Sequence, residues 1–167
     1  MEQKVAIYPG TFDPVHNGHI DILSEAVRIF PKVIWAIGVN STKEPMFSVE
    51  QRLEMMDLAN KFQNVEVVKF SGLLVNFAES VGAEFIVRSL RTTVDFEYEF
   101  QMSLINKQIN PRISTIYLPA SQSNLHISST LVRGLILSNE LIDNYVPSKV
   151  MEYISGARRG ENGHQTI

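Results

Sequence analysis

Five short apolar runs recur along the chain, and each is followed by a segment long enough to form a helix. The runs are residues 5–8, 33–39, 65–70, 85–87 and 113–118. The second run is apolar throughout, which is typical of a strand buried on both faces of a parallel sheet. Because parallel neighbours need crossovers of helix length, the pattern predicts a single doubly wound α/β domain with a five-stranded parallel sheet. Right-handed crossovers and a ligand site at the carboxyl ends of the strands follow from that architecture.

The segments between the runs carry helix signals. After Gly18, apolar residues recur at helical spacing as far as Phe30. Ser48 and Gln51 match a capping box at the start of a second helix. Further helices are predicted over residues 73–81, 94–109 and 147–154, and over a segment that ends near residue 137 and is capped by Ser128 or Ser129.

The last residues of the chain differ in composition from the rest. Residues 157–167 contain almost no apolar side chains. Such a segment cannot bury enough surface to offset the entropy lost on ordering it. We therefore predict a folded α/β domain of residues 1–156 and a disordered tail of residues 157–167.

The overall composition excludes several classes of protein. With 15 basic and 18 acidic residues the net charge is −3, so no broad basic field for nucleic acid is present. No cysteine is present, which excludes disulfides and thiol catalysis and fits a reducing compartment. No apolar run approaches the ~18 residues of a membrane span, and the first residues do not resemble a signal peptide. We expect a cytoplasmic protein that binds neither nucleic acid nor membrane.

The stretch of residues 8–19, Y-P-G-T-F-D-P-V-H-N-G-H, joins the first predicted strand to the first predicted helix. Pro9, Gly10 and Pro14 predict a loop without regular structure. His16 and His19 fall where this loop meets the helix. A helix N-terminus has unpaired N–H groups and the positive end of the helix dipole, and imidazoles can donate to phosphate oxygens. The stretch therefore predicts a phosphate site, with Gly10 allowing close approach of the ligand.

Further groups that can bind phosphate follow the other strands. Thr11 follows the first strand, Lys43 the second, and Arg88 and Arg91 the fourth, while Arg133 lies in the helix after the fifth. Because the carboxyl ends of parallel strands share one edge of the sheet, we expect these groups to lie together. Arg88 directly continues its strand, so its guanidinium can fork onto a phosphate in the crevice. This set suits a polyphosphate nucleotide and a second anion.

The sequence does not support the other kinds of site that two histidines or a glycine-rich loop can indicate. No G-x-x-x-x-G-K-[ST] and no G-x-G-x-x-G are present, which argues against a P-loop enzyme and against a dinucleotide cofactor. Four histidines, no cysteine and no H-E-x-x-H argue against zinc. For an isolated H-x-x-H, a solvated helix start without a ligand stays an alternative.

Taken together, the motifs resemble a known enzyme family. G-T-F-D-P-V-H-N-G-H and the downstream I-S-S-T-L-V-R resemble the paired signatures of the nucleotidylyltransferase superfamily. Within it, K-E-P-M-F at 43–47, F-S-G-L-L-V-N-F at 70–77, R-S-L-R at 88–91 and D-F-E-Y-E at 95–99 are similar to the bacterial phosphopantetheine adenylyltransferase family. The match runs in order from residue 4 to about residue 150.

The resemblance implies a reaction and a set of site residues. It implies transfer of AMP from ATP to 4′-phosphopantetheine, giving dephospho-coenzyme A and pyrophosphate in coenzyme A biosynthesis, with Mg²⁺ bound mainly through the ATP phosphates. It also implies a homohexamer and coenzyme A as a feedback ligand. The implied catalytic residues are His19, Lys43 and Arg91. The implied ATP-binding residues are Thr11, Phe12, His19, Ser89, Leu90, Arg91, Glu99, Asn124, Leu125, His126, Ile127, Ser128, Ser129 and Thr130. The implied substrate-binding residues are Thr11, Lys43, Leu74 and Arg88.

Two departures and two alternative functions remain open at the level of sequence. Ser89 stands where the family usually has glycine, so a positive φ there would strain the backbone. The 122–126 loop lacks the tryptophan of some relatives, which leaves its adenine contacts undefined. Another adenylyl- or cytidylyltransferase of the superfamily would share Thr11, His19 and the S-S-T motif. A nucleotide sensor without catalysis would need no second anion site.

Overall fold

The strands of this protein form one sheet in which all neighbours are parallel. A computed structural model describes residues 4–39 and 44–162. The strands are β1 (Val5–Gly10), β2 (Lys32–Val39), β3 (Val65–Ser71), β4 (Phe85–Leu90) and β5 (Ser114–Pro119). Their order across the sheet is β3-β2-β1-β4-β5. The prediction of a five-stranded parallel sheet in a doubly wound fold is confirmed.

Helices connect the strands and cover the sheet. They are α1 (Asn17–Ile29), α2 (Val49–Ala59), α3 (Leu74–Ser80), α4 (Thr93–Ile109), α5 (Ser129–Leu137) and α6 (Ser148–Asn162). In the described part of the chain, no helix is both long enough and apolar enough to cross a bilayer. The capping box of Ser48 and Gln51 is present, and Ser128 rather than Ser129 caps α5 by accepting from the Leu131 N–H.

Side chains on both faces of the sheet are buried, as the apolar runs predict. Along β2, Trp35 and Ile37 belong to one apolar cluster, while Ile34 and Ala36 belong to the other. All four side chains are at most 3% exposed. Because successive strand residues point to opposite faces, a run without polar residues requires a layer of helices on each side.

The strand order reverses beside β1, and this is where a crevice opens. β1 pairs with β2 along its whole length, from Val5↔Lys32 to Gly10↔Ile37. With β4 it pairs only at Ala6↔Phe85 and Ile7↔Ile86. The two strands therefore continue toward their carboxyl ends without a shared ladder. In a doubly wound sheet this switch point is where ligands bind.

The prediction that Pro9 and Gly10 interrupt regular structure is wrong, because both belong to β1. The Pro9 carbonyl accepts from Arg88 Nη1 at 3.0 Å, so this part of the Pro9 backbone faces β4. The β1–β4 ladder has already ended there, at Ile7. Proline consequently stays in the strand without removing a ladder hydrogen bond.

The prediction that the last helix ends near Ile154 is also wrong, because α6 continues to Asn162. A segment poor in apolar residues can still extend an established helix, since each added residue gains one backbone hydrogen bond. Residues 163–167 lie outside the described residues, and the domain boundary at residue 156 stays a prediction.

Candidate active site

A cleft of about 430 Å³ lies at the carboxyl ends of β1 and β4, between the starts of α1 and α5. We call it the first cleft. It is lined by residues from every element that meets at the switch point: Tyr8, Pro9, Gly10, Thr11, Phe12, His16, Gly18, His19, Arg88, Ser89, Arg91, Asp95, Tyr98, Glu99, Ala120, Asn124, Ile127, Ser128, Ser129 and Thr130. Two helix N-termini, with their unpaired N–H groups, therefore border one cavity.

A second cleft of about 500 Å³ lies on the other side of the β1–α1 loop. Its lining comes from β1, the ends of β2 and β3, β4, α2, the start of α3 and the adjoining loops: Pro9, Gly10, Thr11, Gly38, Val39, Pro45, Arg52, Phe70, Gly72, Leu74 and Arg88. Pro9, Gly10, Thr11 and Arg88 line both clefts. Two ligands bound side by side would therefore meet at the end of β1.

The structure distributes the predicted site residues over these two clefts. Of the residues assigned to ATP, the first cleft is lined by all except Leu90, Leu125 and His126. Leu125 is exposed, and the His126 ring lies 6.2 Å from that of Tyr145. Of the residues assigned to the second substrate, Thr11, Leu74 and Arg88 line the second cleft. Lys43 lies outside the described residues.

The β1–α1 loop is held by the ring of Phe12. Phe12 is 2% exposed and has a φ of 49°, a left-handed conformation that is uncommon outside glycine. Its ring makes edge contacts with the rings of Tyr8, His19 and Trp35, at centroid distances of 5.3, 4.8 and 5.4 Å. A Cβ on Gly10 would lie 2.7 Å from Phe12 Cζ. Gly10 is therefore needed to admit this ring, and its role in letting a ligand approach stays a prediction.

A buried carboxylate ties the same loop to the segment before α2. Asp13 is 3% exposed and accepts from the backbone N–H groups of Met46 and Phe47, both at 2.9 Å. Its carboxylate lies 3.7 Å from Arg133 Nη1, which also donates to the Asp13 carbonyl at 2.7 Å. Arg133 donates to Thr130 as well, at 3.2 Å. The guanidinium that the sequence places among the phosphate-binding groups is thus occupied in holding the loop.

His19 is oriented by the backbone of His16. The His16 N–H donates to His19 Nδ1 at 3.2 Å, so in the neutral imidazole the proton is on Nε2. The two rings stack with centroids 3.5 Å apart. Burial holds the pKa of His19 well below its ordinary value, and His16 and Arg91 lower it further. His19 therefore lines the first cleft as a neutral hydrogen-bond donor.

Arg88 is less free than its position in the sequence suggests. Its Nε donates to Glu99 Oε2 at 2.6 Å and its Nη2 donates to Glu99 Oε1, which makes a bidentate ion pair. Nη1 donates to Pro9, so three of the five N–H groups are occupied. The fork formed by Nε and Nη2 is therefore occupied by Glu99, and the binding of a phosphate by Arg88 stays a prediction. Glu99, which the resemblance assigns to ATP binding, accepts both of these hydrogen bonds from Arg88.

Arg91 and the loop before α5 complete the first cleft. Arg91 Nη1 donates to the Ile127 carbonyl at 3.2 Å, and Nε lies 3.4 Å from Asp95. Asn124 Nδ2 donates to Asp21 of α1 at 2.7 Å. These contacts attach the loop that follows β5 to α1 and to the segment directly after β4, so the lining of the cleft is held from two sides.

The sequence of this chain is similar to those of known proteins. The pattern of the cytidylyltransferase-like family matches residues 7–135. Phosphopantetheine adenylyltransferase of Helicobacter pylori is 47% identical over 156 residues, which cover 93% of this chain and 99% of that protein. The enzyme of the same name from Wolinella succinogenes is also 47% identical over 156 residues, covering 93% and 97%. The chain belongs to the phosphopantetheine adenylyltransferase family.

The fold extends beyond close relatives of this family. A solved structure described as a nicotinate-nucleotide adenylyltransferase from Vibrio parahaemolyticus superposes with a TM-score of 0.69. The superposition covers 92% of this chain and 93% of the other at 20% identity. At that identity the likeness concerns the fold alone.

The serine that departs from the usual phosphopantetheine adenylyltransferase pattern carries no backbone strain. Ser89 lies inside β4 and pairs with Leu118 of β5. Among the described residues other than glycine, φ is positive at Phe12 and Asn139. Ser89 is therefore extended, a conformation that any residue adopts, and it lines the first cleft.

Sequence reasoning missed Asp13 and Arg52. Both are 3% exposed although they are charged. Asp13 lies within the G-T-F-D-P motif, and that position could have drawn attention to it. No local signal distinguishes Arg52 from an exposed arginine of an amphipathic helix, because its partners are backbone carbonyls before α2 and after β1.

Stability should fall in mild acid because of His16. Burial, assisted by the charge of Arg91, lowers the pKa of His16 from 6.5 to about 3. Below pH 6.5 the unfolded chain therefore binds a proton that the folded chain does not, so stability is lost as the pH falls and is constant above that value. At about 1.4 kcal/mol per pH unit, this group alone removes about 2 kcal/mol at pH 5.

Urea denaturation at pH 7.5 and pH 5 measures this loss. His16→Asn should lose about 2 kcal/mol less than the wild-type chain between the two pH values. His126→Gln, at an exposed position, serves as the control and should behave as wild type. An equal loss in wild type and His16→Asn would contradict the prediction.

Proposed function

We propose that this protein transfers AMP from ATP to 4′-phosphopantetheine, giving dephospho-coenzyme A and pyrophosphate. The observation that carries the proposal is the pair of clefts that share Pro9, Gly10, Thr11 and Arg88. Such a pair suits two anionic substrates that must react with each other. The name of the relatives and the identity over nearly the whole chain supply the chemistry.

In the proposed reaction an oxygen of the 4′-phosphate attacks the α-phosphorus of ATP, and the bond from that phosphorus to the bridging β-oxygen breaks. The attacking group is already anionic at neutral pH, so no general base is required. The protein must align two polyanions and stabilise the charge that grows on the α-phosphate and the leaving pyrophosphate. This demand fits a site rich in preorganised donors.

We assign ATP to the first cleft, which His19, Arg91 and the N-termini of α1 and α5 border. His19 Nε2–H would donate to the α-phosphate oxygens as they become more negative. Arg91 and the residues at the start of α5, Ser129 and Thr130, would bind the β- and γ-phosphates. The fixed Nδ1 contact of His19 suits this role, because it leaves Nε2 as the donor.

We assign 4′-phosphopantetheine to the second cleft. Thr11 and Arg88 lie where the two clefts join, so they suit the attacking phosphate, and Leu74 suits the apolar part of the substrate. Arg88 keeps two N–H groups for this phosphate beside its pair with Glu99. Lys43, outside the described residues, keeps the role that the resemblance implies.

The described residues do not form a magnesium site of their own. No group of three or more His, Asp and Glu side chains among them is placed to hold a metal ion. In the first cleft Glu99 is paired with Arg88 and Asp95 with Arg91. We propose that Mg²⁺ arrives bound to the ATP phosphates.

We also propose cytoplasmic location and feedback binding of coenzyme A, which contains the phosphopantetheine moiety that the second cleft would hold. Both follow from the biosynthetic role. A product that shares part of its structure with a substrate can occupy the same cleft and compete with it.

A homohexamer is the proposed assembly, and α4 supplies its support. This helix exposes Phe96, Tyr98, Leu104, Ile105 and Ile109, each more than 40% exposed. Exposed apolar side chains in this number are typical of an interface between subunits. Light scattering should give a mass near six times the 18.9 kDa of one chain. Leu104→Glu should lower that mass, while Leu141→Glu, 82% exposed and outside α4, should not. A wild-type monomer would contradict the proposal.

A pyrophosphate-release assay tests the function. ATP is combined with 4′-phosphopantetheine or with nicotinamide mononucleotide, and in a third reaction CTP is combined with glycerol 3-phosphate. Release should occur with 4′-phosphopantetheine and be at background with the other two. Release with another acceptor would assign a different transferase of the superfamily. ATP binding without release for any acceptor would indicate a sensor.

A further inference from the structure

A buried arginine lines the second cleft. Arg52 lies on α2 and is 3% exposed, yet it belongs to the lining of that cleft. Its Nε donates to the carbonyls of Phe47 and Ser48, at 3.0 and 3.3 Å, and its Nη1 donates to the Thr11 carbonyl at 2.8 Å. The guanidinium is thus held in one orientation beside Thr11, the residue at which the two clefts meet.

The positive charge of Arg52 has no paired carboxylate in the described part of the chain. Every acceptor it contacts is a neutral carbonyl. Two carboxylates act on it from a distance, Asp13 and Glu50. Asp13 is already bound by two backbone N–H groups and Arg133, and Glu50 is exposed and pairs with Lys69 at 3.5 Å. A buried charge without a partner is costly, so its retention points to an anion that arrives from outside.

Arg52 also keeps donors for such an anion. A guanidinium has five N–H groups, and the contacts above occupy Nε and one N–H of Nη1. Among the described residues, Nη2 has no hydrogen-bond partner. Arg88, the other arginine of this cleft, is neutralised by Glu99. The second cleft therefore contains one arginine whose charge is paired and one whose charge is not.

We propose that Arg52 binds the phosphate of the substrate in the second cleft. The inference rests on the function proposed above, since it names a residue for the acceptor's phosphate. ATP is not the expected ligand, because Arg52 lines the second cleft and not the first. Arg52 would add a fixed, planar donor set to the groups that align this phosphate.

The test compares two ligands that differ only in the phosphate. Calorimetric titrations measure the affinities of 4′-phosphopantetheine, pantetheine and ATP for the wild-type chain, Arg52→Gln and Arg52→Lys. The ratio of the first two affinities reports what the phosphate contributes. Arg112→Gln is the control, because Arg112 is exposed and pairs with Glu79 away from both clefts.

In Arg52→Gln this ratio should fall roughly 10–150-fold, the range expected for a lost charge-assisted hydrogen bond. In Arg52→Lys it should fall by a smaller factor, because a lysine keeps the charge without the fork. Affinity for ATP and the ratio in Arg112→Gln should stay unchanged. If Arg52→Gln does not fold, Arg52→Lys decides alone.

An unchanged ratio in a folded variant overturns the proposal. In that case an equal loss of affinity for 4′-phosphopantetheine and for pantetheine would show that Arg52 only positions the loop at Thr11 and Phe47. A wild-type chain that binds the two ligands equally would overturn both this inference and the proposed function. If the wild-type chain and both Arg52 variants favour 4′-phosphopantetheine over pantetheine to the same extent, only the inference about Arg52 is overturned.

Discussion

His19→Ala should lower kcat roughly 10²–10³-fold and change KM for ATP much less. The reason is that the Nε2–H of His19 would contact the α-phosphate most strongly when its charge is largest, which is in the transition state. Removing one preorganised donor of this kind typically costs ~2.7–4 kcal/mol. His19 is held for this role by the His16 N–H on Nδ1 and by edge contact with Phe12. Steady-state pyrophosphate release measures the effect.

Two further variants make the result specific. His19→Gln, whose amide can place a donor near the position of Nε2, should recover part of the lost rate. Leu141→Ala should retain the wild-type rate, because Leu141 is 82% exposed and lies outside both clefts. A loss of less than tenfold in His19→Ala, or a rise in KM with kcat unchanged, would contradict the assigned role.

Phe12→Ala should destabilise the folded chain by about 3–5 kcal/mol, the usual cost of deleting a buried aromatic ring. Phe12 is 2% exposed, and its ring fills the space between Tyr8, His19 and Trp35. The loss is large relative to the total of roughly 5–15 kcal/mol that stabilises most domains. At roughly 2–4 °C per kcal/mol for a chain of this size, Tm should fall by about 6–20 °C.

Calorimetric melting without nucleotide measures this change separately from any contact with ATP. Leu141→Ala is the matched control, since Leu141 is 82% exposed and its truncation should change stability by no more than about 0.5 kcal/mol. A loss below about 1 kcal/mol in Phe12→Ala would mean that the surrounding rings collapse onto the space, or that the ring is not needed for the loop.

The architecture was predictable because its signals are local. A buried parallel strand must be apolar on both faces, so the apolar run around Trp35 indicates such a strand within a few residues. The caps of α2 and α5 are equally local, since Ser48 and Ser128 bond to backbone three residues ahead. By contrast, the apolar content of residues after Ile154 is a poor guide to where α6 ends, because a surface helix needs no buried face to continue.

The placement of the site at one edge of the sheet was also predictable, since every parallel strand delivers its following loop to the same side. Thr11, His19, Arg91 and Ser129 share the first cleft for that reason. Which charged side chains pair with each other was not predictable. Arg88 and Glu99 lie eleven residues apart, on β4 and α4, and only the packing of α4 brings the carboxylate onto the guanidinium.

The sequence by itself thus determined the fold class, the family and the edge of the sheet at which the reacting groups gather, because each depends on periodicity or on motifs that occupy neighbouring positions. Tertiary structure alone decided which cations are free to bind a ligand. Arg88 is neutralised by Glu99, Arg133 is bound to Asp13, and Arg52 is buried with carbonyls as its partners. The physical reason is that an ion pair forms only when its charged atoms lie within about 4 Å of each other. In the pairs named above, the two side chains come from different parts of the chain. Such distances are set by how helices pack on the sheet.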